Sequence, residues 1–164
     1  MDRLWAPWRM SYVTSAGSPD APCVFCGALA ERDDRRTLVL QRGRTAFLIL
    51  NAFPYTSGHL MALPLRHVAA LEAATPEELA ECMTLLQAAI RALQTVYTPH
   101  GFNMGVNQGR VAGAGVLGHV HFHLVPRWGG DTNFMPVVGE TRVLPETLEA
   151  TYDRLRPALL KELS

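Results

Sequence analysis

The run His119-Val120-His121-Phe122-His123-Leu124-Val125-Pro126 alternates polar and apolar side chains with a period of two. Successive side chains on a β-strand point to opposite faces. The run is therefore expected to form a strand with Val120, Phe122 and Leu124 turned into a core. His119, His121 and His123 then share the other face. Three aligned imidazoles have no packing use. Imidazole takes or gives a proton near neutral pH, attacks phosphorus as a nucleophile, or binds a metal. The strand is thus read as part of a functional site.

The rest of the chain is arranged to support such a strand. Residues 37–42 and 45–50 are β-like runs around Gly43 and read as a hairpin. Asn51 to Gly58 is a loop, His59 to Leu63 a further strand, and 102–107 another. Thr75-Pro76-Glu77-Glu78 is a helix start, with Thr75 as cap, Pro76 first in the helix and Glu78 completing a capping box. Leu79, Met83, Leu86, Ile90 and Leu93 then recur at helical spacing, which predicts an amphipathic helix over 76–97. Leu148, Tyr152, Leu155 and Leu159 predict a terminal helix over 145–163, with Pro157 a potential kink or break. Residues 1–20 read as an aromatic-rich arm. Hairpin-linked strands with helices set aside point to an α+β fold on an antiparallel sheet.

With 164 residues, the chain fits one domain over 1–164. Its 15 basic and 15 acidic residues balance, which argues against a nucleic-acid track or a membrane-surface role. No stretch is long and apolar enough to span a bilayer. The start lacks the apolar run of a secretion signal, so a cytoplasmic location is expected.

Two further motifs carry chemistry. The loop Asn107-Gln108-Gly109-Arg110-Val111-Ala112-Gly113-Ala114-Gly115 precedes the histidine strand. Glycines let backbone approach a ligand, and clustered amides cradle phosphate oxygens; the plainer alternative is a flexible connector. Cys23-Val24-Phe25-Cys26 has the spacing of a metal knuckle or a redox pair. A metal would need two further ligands, for which His67 and one of the aligned histidines are candidates. The alternative is two reduced thiols. Cys82 falls inside the predicted long helix and reads as core.

Taken together, these residues resemble the histidine triad (HIT) family of nucleotide hydrolases and transferases. The resemblance rests on the triad itself, on Asn51 and Gly58-His59-Leu60, and on Pro64-Leu65-Arg66-His67-Val68. Leu4-Trp5-Ala6-Pro7-Trp8-Arg9, Val125-Pro126-Arg127-Trp128 and Asp131-Thr132-Asn133-Phe134-Met135-Pro136 are similar to a bacterial branch that includes diadenosine tetraphosphate phosphorylases and related hydrolases. The resemblance covers roughly residues 4–155.

The family resemblance implies a HIT-like antiparallel sheet of about five strands, one long central helix and a C-terminal helix. It implies that His121 attacks the α-phosphorus of a dinucleoside polyphosphate, giving a covalent nucleotidyl-histidine that water or inorganic phosphate resolves. His123 would contact a non-bridging oxygen, and His59 a phosphate or a triad imidazole. Asn51 would meet the ribose, Asn107 the nucleoside or phosphate, and amides around Gly113 and Gly115 the remaining charge. Phe47 is a candidate for the base pocket. Cys23, Cys26, His67 and His119 would hold a structural zinc, with no organic cofactor. A homodimer meeting across the helix after Thr75 is also implied, that helix's apolar stripe being its support.

One departure stands out. Family members often carry a polar serine, threonine or glutamine shortly before the triad, and here the residues are Ala114-Gly115-Val116. Backbone amides or Arg110 would have to substitute, which leaves hydrolysis and phosphorolysis both open. Other readings are an adenosine phosphoramidase with the same nucleophile, a hydrolytic zinc enzyme built on two strand histidines, and a non-catalytic zinc-stapled nucleotide-binding module.

Overall fold

The computed structural model describes residues 22–131 and 146–164. The expected N-terminal arm and most of the 131–136 motif lie outside the described residues. In chain order the elements are α1 (Val24–Ala30), α2 (Asp34–Thr37), β1 (Val39–Arg42), β2 (Ala46–Leu50) and β3 (Leu60–Pro64). A 3-10 turn (Leu71–Ala73) follows, then α3 (Pro76–Tyr97), β4 (Gly101–Val106), β5 (Phe122–Arg127) and α4 (Leu148–Leu163). The strands form one antiparallel sheet in the order β1-β2-β3-β5-β4.

The sheet has two differently used faces. Leu48, Leu50, Leu60, Ala62 and Leu124 point to one side and pack against α3 and α4 through Leu86, Leu93, Tyr152 and Leu155. Phe47, Ile49, Met61 and Leu63 point to the other, where Val39 and Phe25 of α1 cover part of them. Register places Ile49 opposite Met61, and Met61 opposite His123. His123 therefore stands on the face that the long helices leave open.

The histidine run differs from its expected form. The regular ladder begins at Phe122, so His119 and His121 precede β5 rather than lie within it. Ala62 opposes Phe122, and two residues further the register would set Pro64 opposite Val120. Proline has no N–H to donate to a ladder. The Val120 N–H donates instead to the Val68 carbonyl (2.7 Å). The inward and outward alternation still holds: Val120 and Leu124 are buried, and Phe122 packs on the core beneath α3.

The long helix matches its expected bounds, and its capping box is made in both directions by Thr75 and Glu78. The Arg66 guanidinium also binds Glu78 and holds its carboxyl below the ordinary range. The apolar stripe of α3, offered above as a dimer face, is filled within the chain by the sheet and α4. The C-terminal helix starts at Leu148 under a Thr147 cap and runs through Pro157, which is exposed, to Leu163.

Helices α1 and α2 were not expected. At 7 and 4 residues they are too short to show a 3.6-residue period. Leu38 ends α2 in a left-handed conformation (φ 63°), so β1 begins at Val39 and not at Thr37. The Arg42 guanidinium ties α1 to the sheet, donating to the Leu29 and Glu31 carbonyls (2.8 and 2.7 Å) and to Asp34 (2.8 Å). Among the described residues, no helix is long and apolar enough to cross a membrane.

Candidate active site

Hydrogen bonds fix which nitrogen of each imidazole carries the proton. His121 Nδ1 lies 2.8 Å from the His119 carbonyl, which can only accept. Nδ1 is therefore protonated, and Nε2 keeps its lone pair for the cavity that His121 lines. The Tyr55 N–H donates to His59 Nδ1 (3.1 Å), so His59 holds its proton on Nε2. That proton faces His123 Nδ1 at 3.0 Å. His123 Nδ1 therefore accepts, and a proton on the neutral His123 ring would sit on Nε2. One imidazole offers a nucleophilic lone pair and its neighbour an N–H, with ring centroids 4.9 Å apart.

Burial sets the protonation of His121. His121 is almost fully buried, and desolvation of its charged form pushes it below the ordinary histidine value of 6.5. The bond to the His119 carbonyl opposes this and is the smaller effect. The ring is thus neutral, as an attacking nitrogen must be, through the neutral pH range.

Four residues could hold a metal ion beside this pair. The ligand atoms of Cys23, Cys26, His67 and His119 lie within 4.8 Å of one another. Cys23 Sγ is 3.5 Å and Cys26 Sγ 3.8 Å from His119 Nδ1, and Cys26 Sγ is 3.3 Å from His67 Nδ1. A tetrahedron with bonds of about 2.0–2.3 Å has edges of about 3.5 Å, so the spacing and the Cys2His2 donor set fit a closed zinc site. His119 Nε2–H donates to the Pro64 carbonyl (2.8 Å), which leaves Nδ1 free for the metal. Burial, with the adjacent Cys23, pushes the Cys26 thiol up.

His119 and His59 were expected among the catalytic groups, His59 at a phosphate or a triad imidazole. Neither lines the cavity that His121 and His123 face. His119 is fully buried, with both ring nitrogens engaged elsewhere. Its backbone carbonyl accepts from His121 Nδ1–H. His59 reaches the row only at His123, with Nε2 3.0 Å from His123 Nδ1.

The cavity holds about 720 Å³ and opens between α1, the 51–58 loop and the loop before β5. Its deep wall is apolar: Phe25, Ile49, Met61 and Val116. Phe47 is not part of it. Its side chain lies on the same sheet face but is fully buried among Val39, Met61, Leu63 and Phe25. Asn51, Asn107, Gly113 and Gly115 all line the cavity.

Two of these loop groups are already engaged. Asn51 Oδ1 accepts the Phe53 N–H (2.9 Å), and the Gly113 N–H donates to the Arg110 carbonyl (3.0 Å). The Gly113 N–H therefore holds the turn of the loop. Arg110 sits at the exposed loop tip and does not line the cavity. Gln108 pins the start of this loop, accepting from the Leu71 N–H and donating to Glu72.

Sequence reasoning missed Phe25 and Tyr55. Phe25 meets His121 at 5.3 Å between ring centroids and His119 at 5.6 Å. Its signal was its place between two spaced cysteines, since a metal there brings the intervening side chain against His119.

Residues 32–130 match the HIT domain family. The chain belongs to the HIT family. It is 41% identical over 157 residues to the AP-4-A phosphorylase of Mycobacterium tuberculosis strain H37Rv, covering 92% of this chain and 80% of that one. A zinc-bound histidine triad family protein from Mycobacterium smegmatis superposes with a TM-score of 0.62 at 27% identity, over 93% of this chain and 96% of that one. A hypothetical histidine triad nucleotide-binding protein from Sulfolobus tokodaii shares the fold, with a TM-score of 0.68 at 23% identity, covering 85% and 93% of the two chains. In HIT terms, His119, His121 and His123 are the triad.

Proposed function

We propose that this HIT protein is a dinucleoside polyphosphate phosphorylase that works through a covalent adenylyl-histidine on His121. The observation that carries the reading is the Nδ1–H bond of His121 to the His119 carbonyl. It turns the Nε2 lone pair toward a cavity with an apolar wall for a base and a glycine loop for phosphates.

In the first step His121 Nε2 attacks the α-phosphorus of diadenosine tetraphosphate. A nitrogen–phosphorus bond forms, the bond from that phosphorus to the bridging oxygen breaks, and ATP departs. In the second step an oxygen of inorganic phosphate attacks the same phosphorus, the nitrogen–phosphorus bond breaks, and ADP departs. Splitting one displacement in two lets the same neutral nitrogen act first as nucleophile and then as leaving group. The His123 Nε2–H is suited to stabilise oxygen charge during both steps, and orientation supplies much of the remainder. The 41% identity to AP-4-A phosphorylase favours phosphate over water as the acceptor.

Cys23, Cys26, His67 and His119 are assigned to a structural zinc. A closed Cys2His2 site leaves the ion no open position, so it supplies a tie and not Lewis acidity. The tie would join the N-terminal end of α1 to the segment that carries the nucleophile.

Product analysis tests the reading. The protein is incubated with diadenosine tetraphosphate with and without inorganic phosphate, and the nucleotides are separated. ADP plus ATP formed only with phosphate is the expected result. AMP plus ATP in both conditions would replace phosphorolysis with hydrolysis, and no cleavage in either would overturn the reading.

A further inference from the structure

The cavity has aromatic surface at two ends of the histidine row. Phe25 touches His119 and His121 at the deep end. Tyr55 touches His59 (centroids 4.6 Å) and lies nearly parallel to His123 (19°, 6.3 Å) at the other end. Phe53 lines the cavity beside it. Phe53 is 67% exposed and Tyr55 39%. Exposed aromatic surface at a cavity mouth marks a binding surface, because it has area to bury and little cost in leaving water.

The loop that carries these rings is held in place along its length. Asn51 N donates to the His59 carbonyl (3.0 Å), and Asn51 Oδ1 accepts from Phe53 N (2.9 Å). Tyr55 N donates to His59 Nδ1 (3.1 Å), and Thr56 Oγ1 to the Pro126 carbonyl on β5 (2.8 Å). Gly58 closes the loop at φ +78°. The exposure is therefore built into the loop, and a ligand meets a preorganised surface.

We propose that Phe53 and Tyr55 form the platform for the second nucleoside, the one carried away on the departing polyphosphate. The inference rests on the adenylyl-transfer reading above. A dinucleoside polyphosphate brings two bases to one reacting phosphorus. The apolar wall at Phe25 takes the base of the transferred nucleotide. An in-line displacement sends the leaving chain away from His121, and the aromatic surface beyond His123 is where its base can stack. Stacking reads the face of a base and not its edges, so adenine and guanine are accepted alike at this end.

Two substrates isolate the contribution. Diadenosine tetraphosphate and adenosine 5′-tetraphosphate offer His121 the same adenylyl group, and only the first has a second nucleoside. The unaltered protein is expected to favour the first in kcat/KM. Phe53→Ala and Tyr55→Leu are expected to lower that ratio about tenfold each, and Phe53→Trp to keep it. No preference in the unaltered protein, or a preference that survives both substitutions, overturns the proposal. Binding to the His121→Ala protein, measured by calorimetry, gives an independent reading. There the dinucleoside is expected to bind more tightly, and adding Phe53→Ala to weaken it about tenfold. Equal affinity for the two ligands would reject the platform even if turnover were confirmed. Failure of the unaltered protein to cleave either substrate, with the binding preference intact, would reject the adenylyl-transfer reading and leave the platform.

Discussion

Replacing Phe25 by alanine separates packing from positioning. The ring is 6% exposed and packs on Val39, Phe47, Ile49, Met61 and Leu63. Losing its burial costs about 1.5–3 kcal/mol, and the contacts to His119 and His121 add about 0.5–1.5 kcal/mol each. The void opens into the cavity and fills with water, so the penalty for an empty hole is mostly avoided. The expected loss is about 3 kcal/mol. With a urea slope of about 2 kcal/mol/M, the unfolding midpoint falls by about 1.5 M. Phe25→Leu should regain most of that midpoint, because it refills the volume. It should regain less of the adenylyl-transfer rate, because leucine offers no ring face to His121. Urea unfolding and single-turnover kinetics on the same three proteins read both quantities. A Phe25→Ala midpoint within about 0.5 M of the unaltered protein, or full rate recovery in Phe25→Leu, would refute the reasoning.

Other consequences can be measured directly. Gly58 has φ +78°, and a Cβ there would lie 2.7 Å from Leu93 Cδ2; Gly58→Ala should cost about 2–4 kcal/mol in thermal or urea unfolding, and a loss under about 1 kcal/mol would contradict the close approach. Cys23→Ser should lower bound zinc, read by elemental analysis, and lower Tm by about 2–4 °C for each kcal/mol lost; unchanged Tm in a zinc-free protein would remove the tie. Because burial holds His121 below 6.5, the neutral nucleophile persists as pH falls through that value. The single-turnover rate should therefore stay level to below pH 6.5 and fall only when the depressed pKa is passed; an acid limb centred at or above 6.5 would contradict the burial effect on His121.

The sequence exposed some elements and hid others for identifiable reasons. Thr75, Pro76 and Glu78 stated the start of α3 because capping is local chemistry, and the structure makes both halves of the box. The period-two histidines announced the site face, because alternation survives even where the ladder stops. The stop itself was hidden: it depends on Pro64, 56 positions before Val120 and opposite it only once the strands pair. Cys23, Cys26, His67 and His119 were legible as a set through the family resemblance, and they converge in space. The protonation tautomers of His119 and His59 were not legible, because a tautomer depends on which nitrogen faces which partner. The Pro64 carbonyl and the Tyr55 N–H, which decide this, are backbone groups that no residue type advertises. Phe47 and Ile49 show the same limit. They share a sheet face, yet Phe47 is sealed under Phe25 and Ile49 lines the cavity.

The most direct test of the account is to trap the intermediate. The protein is mixed with diadenosine tetraphosphate without inorganic phosphate, quenched under conditions that preserve phosphoramidates, digested, and mapped by mass spectrometry. The account predicts one adenylyl group on the peptide containing His121, lost when phosphate is added before the quench and absent from a folded His121→Ala protein. Adenylylation at another residue, or undiminished cleavage by His121→Ala, would contradict it.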